Sequence, residues 1–333
     1  MTFNKKLLTS AVGAALTLGL GVPAAQADHV VLIPYVVKTA NRTTVVTLIG
    51  DGSSAKNDLG RNIHVQYWAK PLTAANTAAC TDHSKEVSFT ERDIVTFDTS
   101  GILGYPLFGD TTNEAPFGLA MADADSHGYL ITRNSEDDGT WDSRAAYWLE
   151  LDLANGGAHG DHGVSERSSA NFSPETGDRV SDNIALQYGD SRAVGYWPTS
   201  IASTTFTVTP LGANMSGSDN NVVVVQAQYT DDSNGGSGGA YNRNEDFIDG
   251  SPKHTVRCVG TVTLQQLLPG QTANAAWAAQ GGWGFLTNLN FSTDACGSGT
   301  GDCDAIIYQV DRSSAAGAGR FMANAVRITS DQN

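Results

Sequence analysis

Apolar residues along this chain come in short runs that alternate with polar ones, and long amphipathic helical periods are missing from the pattern. Each run reads as a strand, because successive strand side chains point to opposite faces. His29 to Val37 is dense in β-branched residues, and Pro34 inside it cannot donate to a ladder. That strand is therefore expected at a sheet edge or with a bulge. Asn41 to Ile49 is the second strand. In the third, His64 to Trp68, the alternation puts Ile63, Val65 and Tyr67 on one face and His64, Gln66 and Trp68 on the other. Asp93 to Phe97, Tyr129 to Thr132 and Ala145 to Leu153 continue the series, the last with Tyr147, Leu149 and Leu151 on one side. The Ala-rich run Thr272 to Ala279 is the best candidate for a short helix.

The pattern then recurs. Thr43 to Gly50 is echoed by Thr204 to Gly212, and Ile63 to Tyr67 by Val225 to Tyr229. A cysteine follows in each copy (Cys80, Cys258), then a Thr-x-x-polar-aliphatic step at Thr90 to Ile94 and Thr263 to Leu267. Gly128 to Thr132 matches Gly284 to Thr287, and the apolar runs Ala145 to Leu149 and Ala305 to Tyr308 close the copies. Further strands are expected at Ile184 to Tyr188, Val194 to Trp197, Val256 to Leu264 and Phe321 to Ile328. Many short strands punctuated by Gly, Asn and Asp turns predict an all-β protein of two tandem, internally duplicated immunoglobulin-like or Greek-key β-sandwich units. The expected division is a signal peptide over 1–27, one unit over 28–155, a polar Gly/Ser/Asp/His linker over 156–181, and a second unit over 182–333. A second polar excursion is expected from Asp231 to Pro252.

Composition narrows the setting. Lys5 and Lys6, the apolar stretch Leu7 to Leu20 and the Ala25-Gln26-Ala27 site describe a secretory signal peptide, so the mature chain is expected to begin at Asp28 and to hold no membrane span. Losing Lys5 and Lys6 but no acid changes the formal charge from −15 to −17. Such a surface repels nucleic acid and anionic lipid and attracts divalent cations. The expected location is periplasmic, cell-surface or extracellular, where four cysteines read as disulfides. Cys296 and Cys303 flank a flexible Gly-rich loop suited to a local bridge, which leaves Cys80 for Cys258.

Candidate chemistry is sparse. His159, Asp161 and His162 make the densest group of ligand types and suit Zn²⁺ or Cu²⁺, set against a solvated Gly-rich loop. Asp123 and Asp125 open a sequence like a calcium loop, but His127 and Asn134 stand where an EF-hand needs an oxygen ligand and a bidentate Glu. The acidic loops suit irregular Ca²⁺ sites beside the Zn²⁺ or Cu²⁺ candidate, and the sequence establishes no cofactor. Gly235 to Gly239 satisfies G-x-S-x-G in letters, without the strand-to-helix elbow that the chemistry requires, and Ser191 is an equally weak nucleophile. Trp68 and Trp148 fall out of phase with their apolar neighbours, so these two are expected to face outward and to stack on a ligand.

Pro34-Tyr35 with the Thr43 to Ile49 run, Cys80 before Phe89-Thr90-x-x-Asp93-Ile94-Val95-Thr96-Phe97, and Gly128 to Ile131 resemble a group of secreted β-rich proteins of Gram-negative bacteria with no assigned activity. The resemblance implies export and a β-sandwich, and it carries over no catalytic residue. The expected function is a non-enzymatic structural, adhesion or surface-matrix protein, self-assembling through its N-terminal strand. The alternative is a carbohydrate- or divalent-cation-binding module, and the third choice a hydrolase whose carboxylate pair is hidden by distance. Expected partners are further copies of the chain or a surface glycan. Intact-mass measurement of protein recovered outside the cytoplasm should give the chain from Asp28 to Asn333; a mass that includes residues 1–27 would refute the leader.

Overall fold

The computed structural model describes residues 30–50, 61–89, 94–100, 103, 125–134, 144–154, 156–166, 185–212, 215, 221–229, 238–270, 279–289, 303–313 and 323–329. The expected leader (1–27) and the Ala-rich run at 272–278 lie outside these. The described residues are nearly all β, in several antiparallel sheets, with one helix bounded in full among them, a single turn. Among the described residues no helix is long and apolar enough to cross a membrane.

In the N-terminal half, β1 (Val30–Lys38), β2 (Arg42–Gly50), β3 (Arg61–Pro71), β4 (Thr81–Phe89), β5 (Ile94–Asp98), β6 (Ser126–Asn134), β7 (Arg144–Asp152), β8 (Gly157–His162) and β9 (Val164–Glu166) form one hydrogen-bonded sheet. It turns at the tight β1–β2 connection, where Lys38 opposes Thr43, into a ladder β4-β3-β6-β1-β9 and a ladder β5-β2-β7-β8. The ladders face each other across a core where Val31 and Ile33 meet Ala146 around Gly163. The N-terminal strand is thus interior, paired with β6 on one side and β9 on the other. Of the two outcomes expected for Pro34, the structure adopts the bulge: the β1–β6 register shifts between Ile33 and Val36. On the side away from β6, β9 takes Val30 to Leu32 and β2 takes Lys38, so β1 is a less open edge than a free N-terminal strand.

The C-terminal half comprises β10 (Ser191–Tyr196), β11 (Ala202–Pro210), β12 (Val222–Gln228), β13 (Gly239–Asn242), β14 (Phe247–Asp249), β15 (His254–Arg257), β16 (Gly260–Thr263), helix α1 (Leu264–Leu267), β17 (Gly282–Leu289), β18 (Ala305–Ser313) and β19 (Ala323–Ile328). One sheet runs β14-β13-β17-β12-β15 with β10 also on β17, and the other runs β16-β11-β18-β19. Val194, Val225, Ala227 and Leu286 from the first meet Phe206, Val208 and Ile307 from the second. Thr263 caps α1 by accepting from the Gln266 N–H, while the Gln266 side chain accepts from the Thr263 N–H, a capping box that reads T-x-x-Q in the sequence.

Pairing follows the same scheme in both halves. β6 bonds β1 and β3 as β17 bonds β10 and β12, and β4 joins β3 as β15 joins β12. β2 bonds β5 and β7 as β11 bonds β16 and β18, with β8 and β19 as the outer neighbours. Both β2–β7 and β11–β18 run for nine unbroken pairs, from Arg42–Asp152 to Gly50–Arg144 and from Ala202–Ser313 to Pro210–Ala305. This alignment sets Tyr147 against Tyr308 and Glu150 against Asp311. It displaces two sequence landmarks. Cys80 precedes β4 whereas Cys258 follows β15, and Ile94 to Asp98 corresponds to the strand ending at Thr263 rather than to the segment after it.

Other departures have local causes. Residues 157–166, expected to be linker, form β8 and β9: β8 ladders with β7 along its whole length, with His159 buried and Asp161 ion-paired to Arg327. Part of the polar excursion is the β13–β14 hairpin. Residues around Ile184 to Tyr188 contribute one bridge, Leu186 to Ala305, and the run Val256 to Leu264 breaks at Cys258, whose φ of 63° turns the chain from β15 into β16.

The halves share a core. Leu211, Met215, Val259, Ile306, Tyr308 and Val310 of the C-terminal half pack with Val37, Tyr129 and Ile131 of the N-terminal half. The Thr209 hydroxyl donates to Pro34 O at 2.5 Å and the Tyr129 hydroxyl to Met215 O at 3.0 Å. Cys80 and Cys258 are disulfide-bonded across this seam, 178 residues apart, as the spacing predicts. Cys303 is also disulfide-bonded, and Cys296, its expected partner, lies outside the described residues. Restricting so long a loop in the unfolded chain stabilises a fold by about 2–4 kcal/mol. Cys80→Ser with Cys258→Ser should therefore lower unfolding free energy by about that amount in urea titration, and an unchanged midpoint would show that the bond is dispensable to the seam.

Candidate functional site

Among the described residues, a group of contacting aromatic rings with two exposed members lies on the sheet of the C-terminal half. In β17, Trp283 and Phe285 share a face, since they are two residues apart. Tyr241 of β13 opposes Trp283 in register, and their rings stack at 5.0 Å between centroids with 28° between planes. Phe247 of β14 lies 5.8 Å from Tyr241, and Tyr229, just beyond β12, lies 5.0 Å from Phe247. Trp283 is 41% and Phe247 45% exposed.

The hairpin that presents Tyr241 and Phe247 is braced from below. Asn242 is fully buried; its side-chain oxygen accepts from the N–H groups of Asn244 and Asp246, and its amide donates to the Asp246 carboxylate at 2.9 Å. Arg243 N donates to Gly281 O, tying the hairpin to the start of β17. Glu245 takes the positive φ, 66°, that the turn requires. The rings are thus held in place before any partner arrives, which lowers the ordering cost of contact. Glu245, Asp246 and Asp249, all exposed, lie in the same hairpin as Tyr241 and Phe247.

The residues singled out from sequence are placed otherwise. Trp148 is 3% exposed, edge-on to Tyr308 at 5.3 Å and to His159 at 5.8 Å, so the expectation that it faces outward is wrong. The reason is the second half: Tyr308 supplies an apolar partner to a position whose own strand neighbours gave no such signal. Trp68 is half-buried and packs against the same shared core. Asp123 lies outside the described residues; Asp125 is exposed, and its carbonyl accepts from Leu72 N. His159 and Asp161 point from β8 into the seam. Asp161 accepts from Arg327 Nε at 2.8 Å and Tyr308 OH at 3.0 Å, and its other oxygen takes the His162 N–H at 2.8 Å. With that carboxylate occupied, the three do not form an open ligand set, and among the described residues no group of three His, Cys, Asp or Glu side chains is placed to hold a metal ion.

Instead these side chains build a buried ionic network. Glu150, 1% exposed at its side chain, accepts from Arg42 at 2.5 and 2.9 Å and from Arg312 of the other half at 3.1 Å, while His159 Nε2 lies 3.4 Å from its second oxygen. Burial pushes the Glu150 carboxyl up, but His159, Arg42 and Arg312 outweigh it and hold it below the usual range. Burial likewise pushes Asp161 up, and Arg327, the His162 N–H and Tyr308 overcome it. Burial, with Arg312 and Arg42, holds His159 below its ordinary value against the pull of Glu150. Burial, helped by Lys70 and Arg42, drives His127 down to about 3, and Asp311, the counterpart of Glu150, is pushed up by burial while Thr204 donates to it at 2.5 Å. Arranged this way, the network joins strands of two halves and satisfies charge in place, whereas the aromatic rings face outward.

Comparison with models of known protein families gives no match, and comparison with curated proteins gives none. The aromatic face escaped the sequence reading because its rings come from four strand regions. One signal was present: Tyr241 and Phe247 are large aromatics inside an otherwise polar Gly- and Asn-rich stretch.

The buried histidines set the pH response. Their folded-state values lie below the unfolded value of about 6.5, so the stability they permit is present above that pH and is lost as pH falls, by up to about 1.4 kcal/mol per unit for each. Glu150 and Asp161, also depressed, add a further loss below about pH 4.3. The melting temperature should fall steadily from pH 7 to pH 5 and more steeply below, with His127→Gln reducing the first slope. A flat profile between pH 7 and 5 would contradict the neutral burial of these rings.

Proposed function

We propose that this is an exported, non-enzymatic protein of the cell surface or its matrix, which works by contact through the aromatic face of its C-terminal half. The observation that carries the reading is the set of five rings at Tyr229, Tyr241, Phe247, Trp283 and Phe285, held by a braced hairpin and partly open to water. Exposed aromatics grouped in this way mark interaction surfaces. A common origin of the two halves by duplication fits the shared pairing scheme, and the disulfides suit an oxidising compartment.

A second reading, binding of a neutral glycan, draws on the same rings: stacked Tyr241 and Trp283 offer apolar surface of the kind that packs on sugar faces, and the acidic residues of the hairpin disfavour anionic polymers. A ring at the centre of a contact is worth about 2 kcal/mol, roughly thirtyfold in affinity. Purified residues 28–333 should be retained on washed cell envelopes, and Trp283→Ala should lose retention by about that factor, with Phe247→Ala added losing more, at unchanged melting temperature. Equal retention of the unaltered protein and its variants would overturn the reading; retention on insoluble neutral polysaccharide as strong as on envelopes would favour the glycan form of it.

A further inference from the structure

We infer that the aromatic face docks the β2–β5–β7 face of a second copy of this chain, head to tail, in the arrangement that already joins the two halves within one molecule. The inference rests on the contact reading above and names its partner. Matching Gly284 to Gly128 along the shared pairing scheme sets Phe285 of β17 against Tyr129 of β6. In the N-terminal half that position is covered: Tyr129 is fully buried and donates to Met215 O of the C-terminal half. What covers the N-terminal half includes Val259, Tyr308 and Val310, all within its core cluster.

The same scheme assigns counterparts to these three. β18 Tyr308 and Val310 correspond to β7 Tyr147 and Leu149, because the nine-pair registers superimpose. Val259, one residue before Gly260 opposite Val208, corresponds to Ile94, one residue before Val95 opposite Leu48. Val259 is buried, whereas Ile94 is 47% exposed and Tyr147 and Leu149 are only half-buried. The molecule therefore uses this interface once internally and presents one side of it at each end: a covering face on the N-terminal half and a receiving face on the C-terminal half.

Two different faces meeting cannot close as a symmetric pair, so repetition gives an open chain or a ring. Between molecules the contact lacks the Cys80–Cys258 bond, and the net charge of −15 opposes it, so association is reversible and strengthens as salt screens the repulsion.

Sedimentation velocity of residues 28–333 across protein and salt concentration tests this. The expected result is a series of species growing with both. Trp283→Asp and Ile94→Asp should each be monomeric alone, and their mixture should give a one-to-one dimer and nothing larger, because each retains the face that the other has lost. A single species under all conditions would overturn the inference, as would a dimer of Ile94→Asp alone, which would show two aromatic faces meeting each other. Retention on envelopes that needs Trp283 in a strictly monomeric chain would leave the contact reading intact and remove this one.

Discussion

The seam between the halves depends on one buried ammonium. Lys70 is 2% exposed, and its Nζ lies 2.8 to 3.3 Å from the carbonyl oxygens of Ala75, Asn76, Ala78 and Arg257. Three of those carbonyls belong to the turn after β3 and the fourth to the end of β15, so one charge organises a loop of one half against a strand end of the other. Asn76 extends the join by exchanging hydrogen bonds with both backbone groups of Thr261. A buried charge without such partners would be costly. The disulfide then locks a contact that polar geometry has already aligned.

The two halves have the same strand order yet opposite fates at their faces. In the N-terminal half the outward side of β6 is sealed by the other half; in the C-terminal half the matching side of β17 keeps its rings in contact with water. Charge follows the same division. Arginines and carboxylates that would be weakly paired at a surface are brought together at the seam, where Glu150 and Asp161 on β7 and β8 each reach an arginine of the opposite half.

Strand alternation made most of the fold legible. β1, β2 and β7 stand within a residue of their expected bounds, and β11 and β18 within two or three, because a two-residue period with β-branched side chains has few competing readings. β8 and β9 were hidden because their burial comes from neighbours distant in sequence, and a His-Gly-Asp-His run resembles a solvated loop or a metal site equally well. Trp148 shows the same limit at one residue: its phase was read correctly, but a phase opposite to Leu149 leads outward only if no second layer covers that side, and Tyr308 lies 160 residues away. The aromatic face required knowing which strands pair.

The interior position of β1 also shapes how the molecule must form. Apart from its Lys38–Thr43 contact with β2, its partners β6 and β9 end at residues 134 and 166, so β1 waits about a hundred residues for its main ladder. Cys80 waits longer still for residue 258. Contacts at such separations make folding slow, since loop closure precedes its reward. An apolar strand kept waiting is a target for the wrong edge, and the hazard lasts as long as its partners are missing.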